Sequence, residues 1–157
     1  MKRLVFLILA LPLFMLSCNE NTRMAEQYHS FENTKWHRFN KVNFNLNVTD
    51  LNNDYDVKAI FTLTEQYLYD NLPIHVIMNT PNGEERINEH KMGFRDKEGT
   101  LLRGQKVDGK YLIEIPLFRN IRFKTMGECK IEVEQIIPKY DTFGIESFGV
   151  VIDKAAK

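Results

Sequence analysis

The chain has 157 residues, with 21 basic and 21 acidic side chains and a formal net charge of zero. This balance excludes the basic surplus with which nucleic-acid-binding proteins neutralise phosphates. It also leaves no cationic excess that would hold the protein on an anionic membrane by charge alone. Hydrophobic residues make up 43% of the sequence, which is enough for one domain with a buried core.

The first eighteen residues predict a bacterial lipoprotein signal. Two basic residues at positions 2 and 3 precede an apolar run over 4–16, and Ser17-Cys18 follows. A basic start, a short apolar segment and a small residue before the cleavage site are the features of a secretory signal peptide. The run is too short to cross a bilayer as a helix. We therefore expect cleavage before Cys18 and a covalent lipid on that cysteine, with no other cofactor. An ordinary signal peptide with an incidental cysteine is the alternative.

This interpretation divides the chain into three segments: a signal peptide over 1–17, an acylated cysteine and flexible tether over 18–35, and a folded domain over 36–154. The tether is polar and lacks sustained periodicity. The lipid predicts an outer-membrane location. Some bacteria mark surface-displayed lipoproteins with an acidic cluster after the cysteine, but here only Glu20 lies close to Cys18. The periplasmic side is therefore favoured over the cell surface.

From Trp36 onward, apolar and polar residues alternate with the period of half-buried strands. The alternation is most regular over 42–48 and 55–63. The segment 86–92 is polar and predicts an edge strand, where charged side chains discourage pairing with other molecules. Several strands of this kind, separated by turn residues, are typical of a β-sandwich.

Asp108-Gly109 is the strongest hairpin signal in the chain. We expect Pro116 to end the strand that follows it. No segment has the period of an amphipathic helix, and the nearest approach, 65–71, is stopped by Pro73. The prediction is an all-β protein, a single antiparallel β-sandwich of jelly-roll or immunoglobulin-like type.

The sequence contains no complete catalytic constellation. The segment 144–149 resembles a nucleophile elbow, but its glycine-to-serine spacing is one residue too long for G-x-S-x-G. A serine within a strand, beside a glycine bulge, is the alternative interpretation of Ser147. The four histidines have neither H-x-H nor H-E-x-x-H spacing. We predict that the protein is not an enzyme.

Four oxygen-bearing residues, Asp50, Asn52, Asp54 and Asp56, have the spacing of the first ligand positions of a calcium loop. Aromatic residues occupy the positions where such a loop needs glycine and a bidentate glutamate. The four residues are kept as a candidate calcium site. An Asx-rich hairpin turn is the alternative.

The segment 67–72 concentrates aromatic residues outside the predicted strands. Aromatic rings beside amide and carboxylate groups can bind a peptide or a sugar ring. Tyr67, Tyr69 and Asn71 are therefore candidate residues for binding a partner protein or a glycan. The alternative is that these aromatic side chains fill an open corner of the sandwich.

A series of short motifs gives the chain a resemblance to a known family. In chain order they are Trp36, Tyr69-Asp70-Asn71-Leu72 as a Y-x-N-L element, Pro81-Asn82-Gly83, Asp96-Lys97-Glu98-Gly99, Leu102-Arg103-Gly104, Gly127, Gln135, Gly144-Ile145 and Gly149. Their order and spacing resemble the gliding-motility lipoproteins of the GldH type from Bacteroidetes. The resemblance implies a component required for gliding and linked to type IX secretion. It implies contacts with other gliding or secretion proteins of the envelope, and no catalytic residue. The alternative function is a glycan-binding surface lipoprotein.

Overall fold

The computed structural model describes residues 22–91 and 93–156, so the predicted signal peptide and Cys18 lie outside the described residues. Within those ranges the protein is all-β, with one short 3-10 turn at Glu32–Thr34 and no α-helix. None of the described residues forms a helix long and apolar enough to cross a membrane. The predicted β-sandwich is confirmed.

The strands form two antiparallel sheets and a small ribbon. In chain order they are β1 (Arg23–Ser30), β2 (Lys35–His37), β3 (Val42–Val48), β4 (Tyr55–Leu63), β5 (Ile74–Asn79), β6 (Glu85–His90), β7 (Gln105–Val107), β8 (Lys110–Ile121), β9 (Gly127–Gln135), β10 (Asp141–Phe143) and β11 (Ile145–Lys154). The five-stranded sheet has the order β1-β11-β4-β8-β7, and the four-stranded sheet has the order β3-β9-β5-β6. Strands β2 and β10 form the ribbon, and β6 lies at a sheet edge as predicted.

The core lies between the two sheets and follows the predicted alternation. Every second residue of β3 and β4 is buried, because successive side chains of a strand point to opposite faces. The ring of Phe148 lies 5.9 Å from Phe44, 5.4 Å from Phe61 and 5.6 Å from Trp36 between centroids. Aromatic pairs at these separations add stabilisation beyond the burial of their area.

The prediction of a flexible tether over 18–35 is wrong for residues 23–30. These residues form β1, which pairs antiparallel with β11. Its sequence lacks alternation because β1 is an edge strand whose residues are mostly exposed. Its side chains still contact the four-stranded sheet, since Oε1 of Gln27 accepts a hydrogen bond from the Asn45 backbone N–H at 2.7 Å. The folded domain therefore begins before Trp36.

The prediction that Pro116 ends its strand is also wrong, because β8 continues to Ile121. The register between β8 and β4 shifts beside Pro116, which lies opposite Lys58. A bulge accommodates proline because the hydrogen-bond ladder is interrupted there. The predicted hairpin is confirmed: Asp108 and Gly109 have φ angles of 50° and 76°, as a tight turn of this kind requires.

The strand register determines which loops share an end of the sandwich. The backbone N–H of Lys154 donates to the carbonyl of Thr22 at 2.7 Å. Lys154 lies opposite Tyr55, and Tyr55 lies opposite Ile121 at the end of β8. Thr22, the β3–β4 turn and the β8–β9 loop therefore lie together, at what we call the Thr22 end.

The opposite end of the sandwich carries the ribbon of β2 and β10, and we call it the ribbon end. Strand β1 leads to it, since the Phe31 N–H donates to the carbonyl of Glu146 at 2.9 Å beside the start of β11. The segment 64–72 lies at the same end, because the Thr64 N–H donates to the Gly144 carbonyl at 2.8 Å.

Candidate functional site

The ribbon is attached to the sandwich through one of its two faces. Trp36 of β2 lies opposite Thr142 of β10, and both are buried. The indole N–H of Trp36 donates to the Asn40 carbonyl at 2.7 Å, and the ring stacks on Phe31 with centroids 4.8 Å apart. These contacts satisfy the polar atom of the indole and bury its apolar surface. Trp36 therefore fixes the position of the ribbon.

The other face of the ribbon and its flanks are aromatic and exposed. Phe39 and Tyr140 are each 69% exposed, and Phe143 is 53% exposed. The Tyr140 ring lies 6.4 Å from Phe39 and 5.6 Å from His37 between centroids. Grouped exposed apolar side chains mark binding sites more often than isolated ones do. We call this group the ribbon surface, defined as His37, Phe39, Tyr140 and Phe143.

Polar groups border the ribbon surface. A cleft of about 320 Å³ lies beside Phe39 and is also lined by His29, Lys35 and Asn40. Asp141 contacts Nδ1 of His37, and its carboxylate lies 4.0 Å from Nζ of Lys35. The aromatic patch therefore has a charged, solvent-accessible rim, the usual arrangement of a protein-protein contact site.

The structure places Tyr67, a predicted binding residue, inside the core. Its hydroxyl donates to the Asn71 carbonyl at 2.7 Å, and its ring lies 5.9 Å from Phe94. Nη1 of Arg95 donates to the Tyr67 carbonyl at 2.9 Å. Burial raises the pKa of the Tyr67 hydroxyl well above its usual range. A fully buried side chain cannot contact a partner, so the prediction is wrong for Tyr67. The alternative interpretation, a side chain filling the corner of the sandwich, describes it.

Tyr69 and Asn71 are half-buried. The ring of Tyr69 packs edge-on against Tyr67 at 5.6 Å, and Asn71 forms a backbone bridge with Gly93. The residue between the two tyrosines, Leu68, is largely exposed. A partner could therefore reach Leu68 and the exposed parts of Tyr69 and Asn71, and a binding role for Tyr69 and Asn71 stays a prediction.

Gly144 allows the segment 64–72 to pack closely on the sandwich. Its φ of +86° lies in the left-handed region that favours glycine. A Cβ at this position would lie 2.7 Å from the Cα of Tyr67, closer than real contacts allow. The glycine therefore brings the end of β10 and the backbone of Tyr67 together.

The candidate calcium residues lie at the Thr22 end and are engaged in hydrogen bonds. Asp50 accepts from the Asn52 backbone N–H at 2.9 Å and from the Tyr55 hydroxyl at 2.8 Å. These donors, together with the Asn53 side chain, lower the pKa of Asp50 to about 2. This is the hydrogen bonding of an Asx turn, the alternative interpretation of the motif.

The other two carboxylates of the motif have different partners. Asp54 pairs with Nε of Arg122 at 2.5 Å, and Asp56 accepts from the Asn120 backbone N–H at 3.0 Å. Across the described residues, no group of three or more His, Cys, Asp or Glu side chains is placed to hold a metal ion. The three aspartates of the motif therefore accept from protein donors, Asn52 donates to Asp50, and the carboxylates do not converge on a common point.

Ser147, the serine of the elbow-like segment, and Cys129 both lie within strands. Ser147 lies within β11, beside a shift in the register between β11 and β4, as the strand interpretation predicts. Cys129 is fully buried in β9, and its burial raises the pKa of the thiol to about 12. A thiol with so high a pKa is protonated at neutral pH and is a poor nucleophile.

The fold and the ribbon surface together define a β-sandwich that displays an aromatic patch at one end. Residues 23–152 match the model of a family described as GldH lipoprotein. The match spans most of the chain, and the chain belongs to the GldH lipoprotein family, a family of gliding-motility lipoproteins. The resemblance seen in the sequence is thereby confirmed.

Individual proteins similar to this chain include one relative and two solved structures. The gliding motility lipoprotein GldH of Flavobacterium johnsoniae is 24% identical over 148 residues, which cover 94% of this chain and 90% of the relative. A carbohydrate-binding module specific for non-crystalline cellulose, CBM28, has a TM-score of 0.47 and 18% identity, covering 83% of this chain and 75% of that one. The CspB protease of Clostridium perfringens has a TM-score of 0.43 and 13% identity, covering 86% of this chain and 26% of that one.

Proposed function

We propose that the protein is a non-catalytic, lipid-anchored component of the gliding and type IX secretion machinery, and that it acts through contacts at the ribbon surface. Membership of a gliding-motility lipoprotein family supports a role in gliding. The observation that carries the mode of action is the exposed aromatic group at the ribbon end. Aromatic residues are enriched in the buried centres of protein-protein interfaces.

The anchor in this proposal is a lipid on Cys18, in the outer membrane and on its periplasmic side. The signal sequence and the lipoprotein family support it. Acyl chains gain about 0.8 kcal/mol of binding free energy for each CH₂ buried in the bilayer, so two or more chains hold a protein without help from surface charge. The near-neutral composition of the chain fits an anchor of this kind.

The geometry of the ribbon suits a contact that forms without rearrangement. Trp36 holds β2 on the core, so Phe39 is displayed from an ordered segment and little conformational entropy is lost when a partner binds. The rim formed by Lys35 and Asp141 carries charges of both signs, which would orient a partner and favour one register.

The test is affinity capture of the native, acylated protein from outer membranes, with mass spectrometry of the bound proteins. The test variant is the Phe39→Ala, Tyr140→Ala double mutant. The matched control is Ile87→Ala with Leu112→Ala, since these are also large exposed side chains but lie on the sheets. We expect the wild type and the control to recover gliding or secretion proteins and the test variant to lose most of them. Equal recovery by both variants, with unchanged circular dichroism, would contradict the ribbon surface as the contact site.

A second function, glycan binding, is favoured by one observation: the exposed ring of Phe39 borders a cleft lined by Lys35 and Asn40. Rings beside hydrogen-bonding groups are also the arrangement that binds sugars. A glycan array with the same two variants separates the functions. Saccharide binding that depends on Phe39 and Tyr140, with only porins and glycan-uptake proteins captured, would contradict a role in the machinery. It would support a glycan-binding lipoprotein instead.

A further inference from the structure

We propose that the β8–β9 loop, residues 122–126, rests on the lipid surface and holds the domain upright, with the ribbon surface directed away from the membrane. This inference goes beyond the proposed function and rests on its lipid anchor at Cys18. It identifies a protein-lipid contact surface at the Thr22 end.

The first step is the short distance between the anchor and the fold. Thr22 is hydrogen-bonded to Lys154 and so belongs to the folded domain. Only four peptide units join Cys18 to Thr22, and a fully extended chain of that length spans about 14 Å. The Thr22 end is therefore held near the lipid head groups.

The second step is the distance of the ribbon end from the anchor. The eight residues of β1 lead from the Thr22 end to the ribbon end. At about 3.3 Å per residue they extend roughly 26 Å. This is about twice the reach of the linker, so the ribbon surface could meet the bilayer only if the domain lay on its side.

The third step is the charge of one of the two sheet faces on which the domain could lie. The outer face of the four-stranded sheet is acidic, because the glutamates of β6 and β9 alternate with inward-facing residues. It carries Glu85, Glu89, Glu128, Glu132 and Glu134. Lys41, Lys91 and Lys130 pair with three of these glutamates, so an excess of negative charge remains. An anionic lipid surface repels such a face, which disfavours a domain lying on this sheet.

The fourth step is the chemistry of the β8–β9 loop itself. Phe123 is buried and packs 5.9 Å from Tyr55 between ring centroids, so the loop is tied to the core. Met126 is 65% exposed, and the side chain of Lys124 is 70% exposed. The loop sequence contains no acidic residue, and the carboxylates nearest its cations belong to other segments: Asp54 pairs with Arg122, and Glu84 lies 3.9 Å from Nζ of Lys124. An apolar side chain beside cationic ones fits the boundary between head groups and acyl chains.

The experiment uses the full acylated protein in vesicles of phosphatidylethanolamine and phosphatidylglycerol. An environment-sensitive fluorophore is attached at Met126→Cys or, as the matched control, at Leu68→Cys. Both positions are exposed aliphatic residues outside strands, and they lie at opposite ends of the sandwich. Cys129 is fully buried and so is protected from the label in the folded protein.

We expect the emission of the label at position 126 to shift to the blue and to be quenched several-fold more by spin-labelled lipid than the label at position 68. Equal quenching at the two positions, or stronger quenching at position 68, would overturn the orientation. Vesicle flotation tests the anchor separately: protein that fails to float would overturn the anchor and this inference together. Protein that floats with equal quenching would refute the orientation alone and leave the proposed function intact.

Discussion

Two aromatic segments meet at the ribbon end, and their side chains face opposite ways. Tyr67 is fully buried, because its hydroxyl has the Asn71 carbonyl as acceptor and its ring packs on Phe94. Tyr140 is mostly exposed, with Phe39 and His37 as its ring neighbours. The comparison teaches that a cluster of aromatic residues in the sequence does not show whether their side chains point into the core or out to solvent. A tyrosine can be buried where a nearby group accepts the hydrogen bond of its hydroxyl, and the sequence does not show that acceptor.

The largest difference in the free energy of unfolding should separate Tyr67→Ala from Tyr140→Ala. Tyr67→Ala leaves a cavity in the core and should lower the free energy of unfolding by about 3–5 kcal/mol. Tyr140→Ala removes exposed surface and should change it by less than about 0.5 kcal/mol. Urea unfolding followed by circular dichroism measures both. Similar losses for the two variants would mean that the ribbon surface is covered or that Tyr67 is loosely packed, and would break the comparison.

A smaller loss of stability is expected from substituting Gly144, which allows the segment 64–72 to pack against the end of β10. Gly144→Ala introduces a left-handed alanine and a methyl group against the backbone of Tyr67. We expect a loss of about 1–3 kcal/mol in the free energy of unfolding. Gly83→Ala is the control, since that glycine also has a positive φ but nothing within 4 Å of its added Cβ. An equal loss in the two variants would show that strain alone, and not the contact with Tyr67, determines the cost.

The smallest change in the free energy of unfolding should come from removing only the hydroxyl of Tyr67, and this change depends on pH. Tyr67→Phe removes one hydrogen bond and should cost about 1 kcal/mol at neutral pH. Because burial raises the folded-state pKa of Tyr67, its contribution is fully present below pH about 10, the unfolded value, and is lost as the pH rises further.

Stability measured at increasing alkaline pH should therefore fall less steeply in Tyr67→Phe than in the wild type. Part of the slope should remain, since the pKa of Tyr55 is also raised by burial. Tyr140→Phe serves as the control for an exposed hydroxyl. Identical slopes in the wild type and Tyr67→Phe would show that the Tyr67 hydroxyl reaches water.

The regular strands were predictable because their apolar and polar residues alternate. In β3 and β4 each apolar residue points inward and each polar residue outward, so the period of two locates the strand and its buried face. The β7–β8 hairpin was predictable from Asp108-Gly109, whose backbone angles few other residue pairs adopt.

The parts that were missed depend on neighbours distant in sequence. Strand β1 has a polar sequence and becomes a strand only through its pairing with β11. The ribbon consists of two three-residue strands, too short for any period to appear. The exposure of Phe39 and Tyr140 could have been suspected only from their polar sequence neighbours, a signal that many buried aromatic residues share.

The pairing of β1 with β11 has a consequence for how the chain assembles. Strand β11 lies between β1 and β4, so the five-stranded sheet is interrupted until residues 145–154 are in place. Arg23 of β1 and Asp153 of β11, which form an ion pair, are 130 positions apart in the sequence. Closing so long a loop is slow compared with forming local contacts. Strand β1 thus leaves the ribosome before the rest of the domain, and its place in the sheet is complete only when β11 has been made.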